Sequence, residues 1–97
     1  MALANIDNLL ADLGEGNVQV ELVVNGEGII ALLRVPGQNA SKVERLTARG
    51  VRFLACANSL RGMDASPQAL LAGVEVVPSG VGHLVRRQAE GWAYLRP

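Results

Sequence analysis

The sequence predicts an α/β fold: a three-layer α/β/α domain with a mostly parallel sheet of four strands. Short runs rich in valine and leucine alternate along the chain with segments whose apolar residues recur at helical spacing. Glycine, serine and proline stand at the junctions between these segments. The strand runs are apolar on both faces, which is typical of a parallel sheet that helices cover on both sides.

Four segments are predicted as strands, and they cover residues of about 18–25, 51–56, 74–77 and 92–95. A glycine follows the first segment and precedes each of the other three. Proline follows the third segment, where it cannot continue the hydrogen-bonding ladder. The segments are short, as strands of a small parallel sheet are.

The helical segments before the second strand carry recognisable start and stop signals. ALANIDNLLADL places its isoleucine and leucines on one face and ends at Gly14. GEGIIALLR returns to helical spacing after the first strand. Ser41 and Glu44 match a capping box, which predicts that the helix KVERLTAR begins at Ser41, and Gly50 closes it.

Serine also precedes the two later helical segments. Ser66 is followed by Pro67 at the first helical position and by QALLA, and Gly73 closes this segment. Ser79 is placed to cap the helix VGHLVRRQAE, which Gly91 ends. Each predicted strand after the first therefore follows a predicted helix, as crossover connections between parallel strands require.

The length and composition predict one domain over residues 1–97 that associates with copies of itself. The chain has 97 residues, of which 49% are hydrophobic and only 3% aromatic. A domain of this size buries about two thirds of the surface that its unfolded chain exposes. We therefore expect part of the aliphatic surface to be covered in a homo-oligomer.

Charge and cysteine content exclude several classes of protein. Nine basic residues balance nine acidic ones, so we expect no nucleic-acid partner and no membrane partner. A single cysteine excludes an internal disulfide framework and a cysteine-rich zinc site, and we predict neither metal nor cofactor. The first 13 residues lack the basic region of a signal peptide, and no apolar run approaches the roughly 20 residues of a membrane span. A cytoplasmic protein is expected.

Three turns are expected at the carboxyl edge of the predicted parallel sheet, where ligands bind in such folds. They are NGEG at residues 25–28, CANS at residues 56–59 and PSGVG at residues 78–82. The glycine-rich turns can direct backbone N–H groups at an anion. NGEG is only half of a dinucleotide-binding fingerprint, which argues against a nucleotide site, and ordinary turn and cap chemistry also explains PSGVG. Cys56, the only cysteine, is either a small buried hydrophobe or a reactive thiol.

The remaining polar side chains give weaker signals. His83, the only histidine, lies one turn into the last helix, and we predict that it lies at the surface or in an interface. Arg86 and Arg87 are expected on a solvated helix face. Trp92 and Tyr94 alternate in the last predicted strand and are expected to cover the core or a subunit contact.

Three segments together resemble the DsrE/DsrF-like family of small bacterial and archaeal proteins: VELVVNGEGI, GVRFLACANSL and VEVVPSGVGHLVRRQAEGWAYLRP. The resemblance covers nearly the whole chain. It implies a three-layer α/β/α fold, assembly into trimers or hexamers, and sulfur relay, in which a cysteine carries a persulfide from one sulfurtransferase to the next. Relatives usually begin with a further strand before the first helix, and many have histidine where Asn25 stands. We therefore expect that first strand to be absent and no general base at Asn25.

The resemblance predicts a sulfur-relay protein in which Cys56, at the matching position, is the catalytic residue. Its place between a strand and a helix predicts an exposed sulfur with a lowered pKa. The partners implied are sulfurtransferases or sulfur-carrier proteins. Substrate-binding residues are expected in the three turns, namely Asn25, Gly26, Asn58, Ser59, Ser79 and Gly80.

An alternative function stays open, a non-catalytic oligomeric binding or scaffolding protein. Its small-anion or partner site would lie at the same carboxyl edge of the sheet. Burial of Cys56 without neighbouring N–H groups would favour this alternative. A sulfur carrier instead needs groups that stabilise the thiolate, since the thiolate is the nucleophile.

Overall fold

The computed structural model describes residues 2–34 and 39–96 and shows an α/β fold with a parallel sheet. Two parallel strand pairs form the sheet, one with Glu21 opposite Arg52 and the other with Leu54 opposite Glu75. The described part of the chain holds three strands in the order β1-β2-β3, which are Glu21–Val24 (β1), Arg52–Cys56 (β2) and Glu75–Val77 (β3). All three lie within predicted segments. In the observed order, β2 is the central strand, and β1 and β3 are the edge strands.

The predicted fourth strand at residues 92–95 is wrong, because residues 92–96 form no strand. The chain leaves the last helix at Gly91, and the Trp92 N–H donates back to the Arg87 carbonyl oxygen at 3.0 Å. The Trp92 ring lies 4.7 Å from the Arg87 guanidinium carbon. These contacts bind the segment to the end of the helix, while Tyr94 and Leu95 are exposed and have no neighbouring strand to pair with in the described chain.

The described residues form four α-helices: Ala2–Leu13 (α1), Ala40–Ala48 (α2), Ala57–Gly62 (α3) and Gly80–Ala89 (α4). α1 precedes β1, α2 and α3 lie between consecutive strands, and α4 follows β3. Gly14 ends α1, and Gly50 follows α2 with a φ of 94°, the left-handed conformation that glycine adopts at helix ends. The segment after β1 is a 3₁₀ helix, Gly26–Leu32, rather than an α-helix. Helix and strand thus alternate as the sequence predicts.

Of the three predicted serine caps, Ser41 is wrong, whereas Ser66 stands at the predicted N-cap position directly before Pro67. The helix α2 begins at Ala40, because the Val43 N–H donates to the Asn39 carbonyl oxygen at 2.9 Å and makes Asn39 the N-cap, so Ser41 lies inside the first turn. Ser66 makes no capping hydrogen bond. The predicted helix after it is a single 3₁₀ turn, Pro67–Ala69.

The backbone around that turn has a different partner. Leu70 is buried and forms an isolated antiparallel bridge with Leu33. Flanking hydrogen bonds run from Arg34 N–H to the Ala69 carbonyl oxygen and from Leu71 N–H to the Leu32 carbonyl oxygen, each at 2.8 Å. A helix over this segment would have to give up these bonds, so the pairing limits it to one turn.

The two faces of the sheet carry different residues. Phe53 and Ala55 of β2 belong to an aliphatic core with residues of α1, α2 and the 3₁₀ helix after β1. Arg52, Leu54 and Cys56 alternate with them and point to the other face, which α4 covers. Leu54 is fully buried there. Helices therefore lie on both faces of the sheet, with α4 on the face of Cys56.

A nearly buried carboxylate fixes α4 to the sheet. The Glu21 side chain is only 5% exposed. Arg87 of α4 binds it with two parallel hydrogen bonds, Nε to Oε1 at 3.0 Å and Nη2 to Oε2 at 2.9 Å. His83 Nε2 lies 2.7 Å from Oε1, and Arg52 Nη1 lies 2.7 Å from Oε2. Glu75 in turn binds Arg52 with both oxygens.

The pKa of Glu21 is lowered in this cluster. Burial alone would raise the pKa, but hydrogen bonds and charge from Arg87 and His83 outweigh that effect. Because an ionised carboxylate can only accept hydrogen bonds, the short contact places the His83 proton on Nε2. Glu21 is thus a nearly buried, ionised carboxylate, and α4 supplies part of the hydrogen bonds that stabilise it.

The Glu21 carboxylate should make the stability of the protein depend on pH in acid. Its folded-state pKa lies below the ordinary value of 4.5, so its stabilisation is complete above about pH 5 and is lost as the pH falls through the folded-state pKa. Glu21→Gln should therefore lower the free energy of unfolding at pH 7 by about 3 kcal/mol. This is the lower end of the cost of breaking a buried ion pair, because Arg52 and Arg87 are partly exposed and water can solvate them after the change. Urea unfolding at pH 7 and at about pH 3 should show the difference from wild type narrowing in acid.

The matched control is Glu27→Gln, which removes an exposed carboxylate. It should leave the free energy of unfolding within about 0.5 kcal/mol of wild type at both pH values. A difference between Glu21→Gln and wild type that stays constant with pH would contradict the interpretation.

Candidate functional site

Cys56 occupies the junction between the central strand and the helix that follows it. It is the last residue of β2, and α3 begins at the next residue. Its side chain points to the face that α4 covers, and the residue is only 5% exposed. The predicted position is confirmed, but the predicted exposure of the sulfur is wrong, because α4 and the turns on either side cover it.

The surroundings of the sulfur are rich in N–H donors. Burial raises the pKa of the Cys56 thiol, but the backbone N–H groups of Gly80 and Ser59, the Ser59 hydroxyl and the Asn58 N–H together lower it below the ordinary thiol value. The predicted direction of the shift is therefore confirmed. These donors come from the starts of α3 and α4, where backbone N–H groups have no partner within the helix. The site stabilises a sulfur anion without a cationic side chain among these donors.

Ser59 joins two of the three turns. Its Oγ accepts a hydrogen bond from the Gly26 N–H at 2.8 Å, which ties the turn after β1 to α3. Because that oxygen already accepts from Gly26, the hydroxyl proton is free to be donated toward the Cys56 sulfur. The predicted residues Gly26 and Ser59 are thus hydrogen-bonded to each other, and Ser59 is also a donor to the Cys56 thiol.

Asn25 and Gly80 join the other pair of turns. The Asn25 carboxamide lies against the Cα of Gly80, so closely that a Cβ at this position would overlap Asn25 Oδ1. Gly80 has an ordinary helical conformation, so the close approach rather than the backbone angle accounts for the glycine here. The turn after β1 therefore packs directly on the first residue of α4, beside Cys56.

Ser79 and Asn58 contribute less directly than predicted. Ser79 caps α4 as the sequence predicts, because its Oγ accepts a hydrogen bond from the Gly82 N–H at 3.1 Å. The Asn58 side chain bonds to Arg61 within α3. Both side chains are thus used by their own helices, and what Asn58 offers the sulfur is its backbone N–H.

Three of the predicted residues, Asn58, Ser59 and Gly80, therefore supply hydrogen-bond donors to one sulfur atom, and this arrangement suits chemistry at an anionic sulfur. Among residues 2–34 and 39–96, no group of three or more histidine, cysteine or acidic residues is arranged to hold a metal ion. No helix in the same ranges is long and apolar enough to cross a membrane.

Sequence reasoning missed the cluster around Glu21. The surface position predicted for His83 is wrong, because its side chain is only 12% exposed and paired with Glu21. The alternative position in an interface stays a prediction. Arg87 is paired as well and not simply solvated. Two signals could have revealed the cluster: a lone glutamate in an otherwise apolar strand, and a histidine and an arginine four residues apart on one helix.

The cluster also borders a pocket at the opposite end of the strands from Cys56. The pocket has a volume of about 360 Å³ and is lined by Gln19, Val20, Glu21, Gly50, Arg52, Arg87 and Trp92. Its two arginines already bind carboxylates. They are therefore not free to recognise an anionic ligand without breaking ion pairs.

Comparisons with known proteins agree with the resemblance in the sequence. The model of the DsrE/DsrF-like family matches residues 1–97. A solved structure, that of the protein of unknown function MTH1491 from Methanobacterium thermoautotrophicum, is 48% identical to this chain. The match covers 99% of this chain and 84% of that chain, with a TM-score of 0.92. No curated protein matches the chain.

Replacement of Ser59 should test whether its hydroxyl stabilises the thiolate. Ser59→Ala removes one donor from the sulfur and should raise the thiol pKa by about 0.5–1 unit, which slows alkylation at neutral pH about three- to tenfold. The measurement is the pH dependence of Cys56 alkylation by iodoacetamide, a neutral reagent that reacts with the thiolate. The matched control is Ser41→Ala in α2, which should leave the profile unchanged. An unchanged profile in Ser59→Ala would show that the hydroxyl does not act on the sulfur.

Proposed function

This chain belongs to the DsrE/DsrF-like family, and on that basis we propose that it is a sulfur-relay protein that carries a persulfide on Cys56. The observation that carries the proposal is the set of N–H donors at this sulfur. A cysteine that served only as a small hydrophobe would need no stabilisation of its anion. These donors favour the carrier over a non-catalytic scaffold.

The proposed transfer needs no oxidant. The Cys56 thiolate attacks the outer sulfur of a donor persulfide, R–S–SH, and the S–S bond of the donor breaks. The donor leaves as the thiolate R–S⁻, and Cys56 becomes the persulfide Cys–S–SH, so charge and atoms balance. In the second step an acceptor thiolate attacks the outer sulfur and releases the Cys56 thiolate. The N–H groups at Cys56 favour both its formation as a nucleophile and its departure as a leaving group.

A single cysteine fits a carrier better than a disulfide reductase. No second thiol in the chain can attack the Cys56 persulfide, so the sulfur must leave to another protein or to a small thiol. We therefore propose sulfurtransferases or sulfur-carrier proteins as partners. A cytoplasmic location suits this role, because thiols are kept reduced there.

The burial of Cys56 limits how a donor reaches it. Only 5% of the residue is exposed, and Gly80, whose N–H acts on its sulfur, is in close contact with the Asn25 side chain. A bulky donor must therefore insert a narrow persulfide-bearing side chain or displace Asn25. Asn25 belongs to an exposed turn, so its side chain can move at little cost.

We propose in addition that the chain forms a homo-oligomer, a trimer or hexamer, through the outer surface of α4. Val81 and Val85 lie four residues apart on this helix and are 66% and 61% exposed. Val81 directly follows Gly80, so a neighbouring copy on this surface would lie close to Cys56. Exposed apolar side chains in such a small domain are typical of subunit contacts.

Sulfur uptake can be measured directly by mass spectrometry of the intact protein. After incubation with a persulfide donor and removal of the donor, the chain should gain the mass of one sulfur atom. Treatment with an acceptor thiol should remove it. Peptide mapping should place the added sulfur on Cys56.

Cys56→Ser is the matched control for sulfur uptake. It should gain no sulfur and should keep the secondary structure and assembly of the wild type, since serine differs from cysteine by one atom. A wild-type protein that takes up no sulfur, although it is folded and reduced, would contradict the carrier function and favour the scaffold.

Sedimentation velocity should test the proposed assembly. The wild type should sediment as a trimer or hexamer at micromolar concentration, and Val85→Glu should shift it toward the monomer, because burial of a charge in an apolar interface is unfavourable. Leu13→Glu on α1 is the matched control, since Leu13 is also exposed but lies away from α4. A monomeric wild type would rule the assembly out.

A further inference from the structure

Polar side chains hold α4 on the sheet to an unusual degree. Within α4, all of whose residues the structure describes, Gly80 alone is buried, and Leu84 is half-buried. The side chains of α4 that hydrogen-bond to the sheet are His83 and Arg87, and both end on Glu21. The side-chain hydrogen bonds from this helix to the sheet therefore all end on one carboxylate.

The same helix brings an N–H group to the thiol. Gly80 is the first residue of α4 and packs on Asn25 at the end of β1, and Cys56 ends β2, the neighbouring strand that α4 also contacts. The Gly80 backbone N–H lowers the pKa of the Cys56 thiol. His83 and Arg87 follow Gly80 by three and seven residues, which places all three on the side of the helix that faces the sheet. The span from Gly80 to Arg87 is about 10 Å at 1.5 Å per residue, so the two ends of this face move as one rigid unit.

We propose that Glu21 is a positioning residue for Cys56: it holds His83 and Arg87, and so fixes α4 where the Gly80 N–H faces the sulfur. Glu21 acts through the helix and does not touch the sulfur. This inference rests on the proposed function only in that it concerns the same thiol. It requires that the thiol reacts with alkylating reagents, and it does not require that the protein transfers sulfur.

The other charged groups of this face do not join α4 to the sheet in the same way. Arg52 of β2 binds Glu21 and Glu75 of β3, and both of these carboxylates belong to the sheet. Glu90 binds Arg87 three residues before it, within the end of α4 itself. In the described chain, the contacts from His83 and Arg87 to Glu21 are thus the ion pairs that cross from α4 to the sheet.

Removal of the Glu21 charge has two effects of opposite sign on the thiol. Loss of a negative charge from the same domain favours the thiolate and lowers its pKa. Loss of positioning withdraws the Gly80 N–H from the sulfur and raises the pKa. The direction of the measured change therefore separates a positioning role from a simple electrostatic one.

The experiment compares Glu21→Gln with Glu75→Gln in the pH dependence of Cys56 alkylation by iodoacetamide. Both variants remove one carboxylate charge from the same face of the sheet, but Glu75 does not bind α4. Glu21→Gln should raise the thiol pKa by about one unit, which slows alkylation at neutral pH about tenfold. Glu75→Gln should not raise it. An unchanged or lowered thiol pKa in Glu21→Gln would overturn the proposal.

A second variant and a second measurement keep the test decisive if Glu21→Gln does not fold. Arg87→Lys keeps the charge but loses the two parallel hydrogen bonds to Glu21, and it should raise the thiol pKa in the same direction by a smaller amount. In nuclear magnetic resonance, the Gly80 amide resonance should follow the titration of Cys56 in the wild type. It should lose this response in Arg87→Lys and Glu21→Gln, and a response as large as in the wild type would also overturn the proposal.

The outcome is independent of sulfur uptake. If the wild type takes up no sulfur while the thiol pKa rises in Glu21→Gln, the proposed function fails and the positioning role stands. If sulfur uptake occurs but the thiol pKa is unchanged in Glu21→Gln, the carrier function stands and the positioning role fails.

Discussion

The structure depends on the cost of removing one carboxylate from water. Glu21 begins an edge strand that is otherwise apolar, and its side chain is almost completely covered. A charge in such a place is tolerated only when paired and hydrogen-bonded, so it constrains every element beside it. The central strand supplies Arg52, and α4 supplies His83 and Arg87. An apolar residue at this position could pack against α4 in several arrangements. The two parallel hydrogen bonds from the Arg87 guanidinium to a carboxylate instead fix a single arrangement.

The candidate site at the other end of the strands uses a different kind of electrostatics. Its donors are mainly backbone N–H groups at helix starts, with one hydroxyl from Ser59. Backbone dipoles are fixed by the fold and do not need to reorganise when charge moves onto the sulfur. They also carry no net charge, so they can stabilise a thiolate without binding every anion in solution. This arrangement suits a thiol that alternates between a nucleophile and a leaving group.

The Glu21 cluster and the Cys56 site lie at opposite ends of the strands, and α4 takes part in both. Its first residue, Gly80, packs on Asn25 and faces Cys56, and its second and third turns bind Glu21. The close contact of Asn25 with Gly80 leaves no room for a side chain at position 80, so the helix start can lie directly against the turn after β1. The ion cluster far from the thiol and the glycine beside it thus belong to one helix.

The sequence by itself determined the features that depend on near neighbours in the chain. Alternating apolar runs and glycine or serine junctions located three strands, the Ser79 cap and the place of Cys56 between a strand and a helix. Such features are set by local backbone preferences and by the crossover geometry of parallel strands. The resemblance to a family added a role for Cys56 that no local pattern contains.

Tertiary structure decided what depends on partners far apart in the chain. Glu21 and His83 are 62 residues apart, and only folding shows that they pair and that His83 is covered. The segment at residues 92–95 has the composition of a strand, but it stays at the end of α4, where Trp92 lies on Arg87. The burial of Cys56 and the N–H donors at its sulfur likewise come from the folded arrangement, in which Gly80 of α4 lies 24 residues further along the chain. The physical reason is the same in each case: burial and pairing are properties of a place in the fold, and residues distant in sequence create that place.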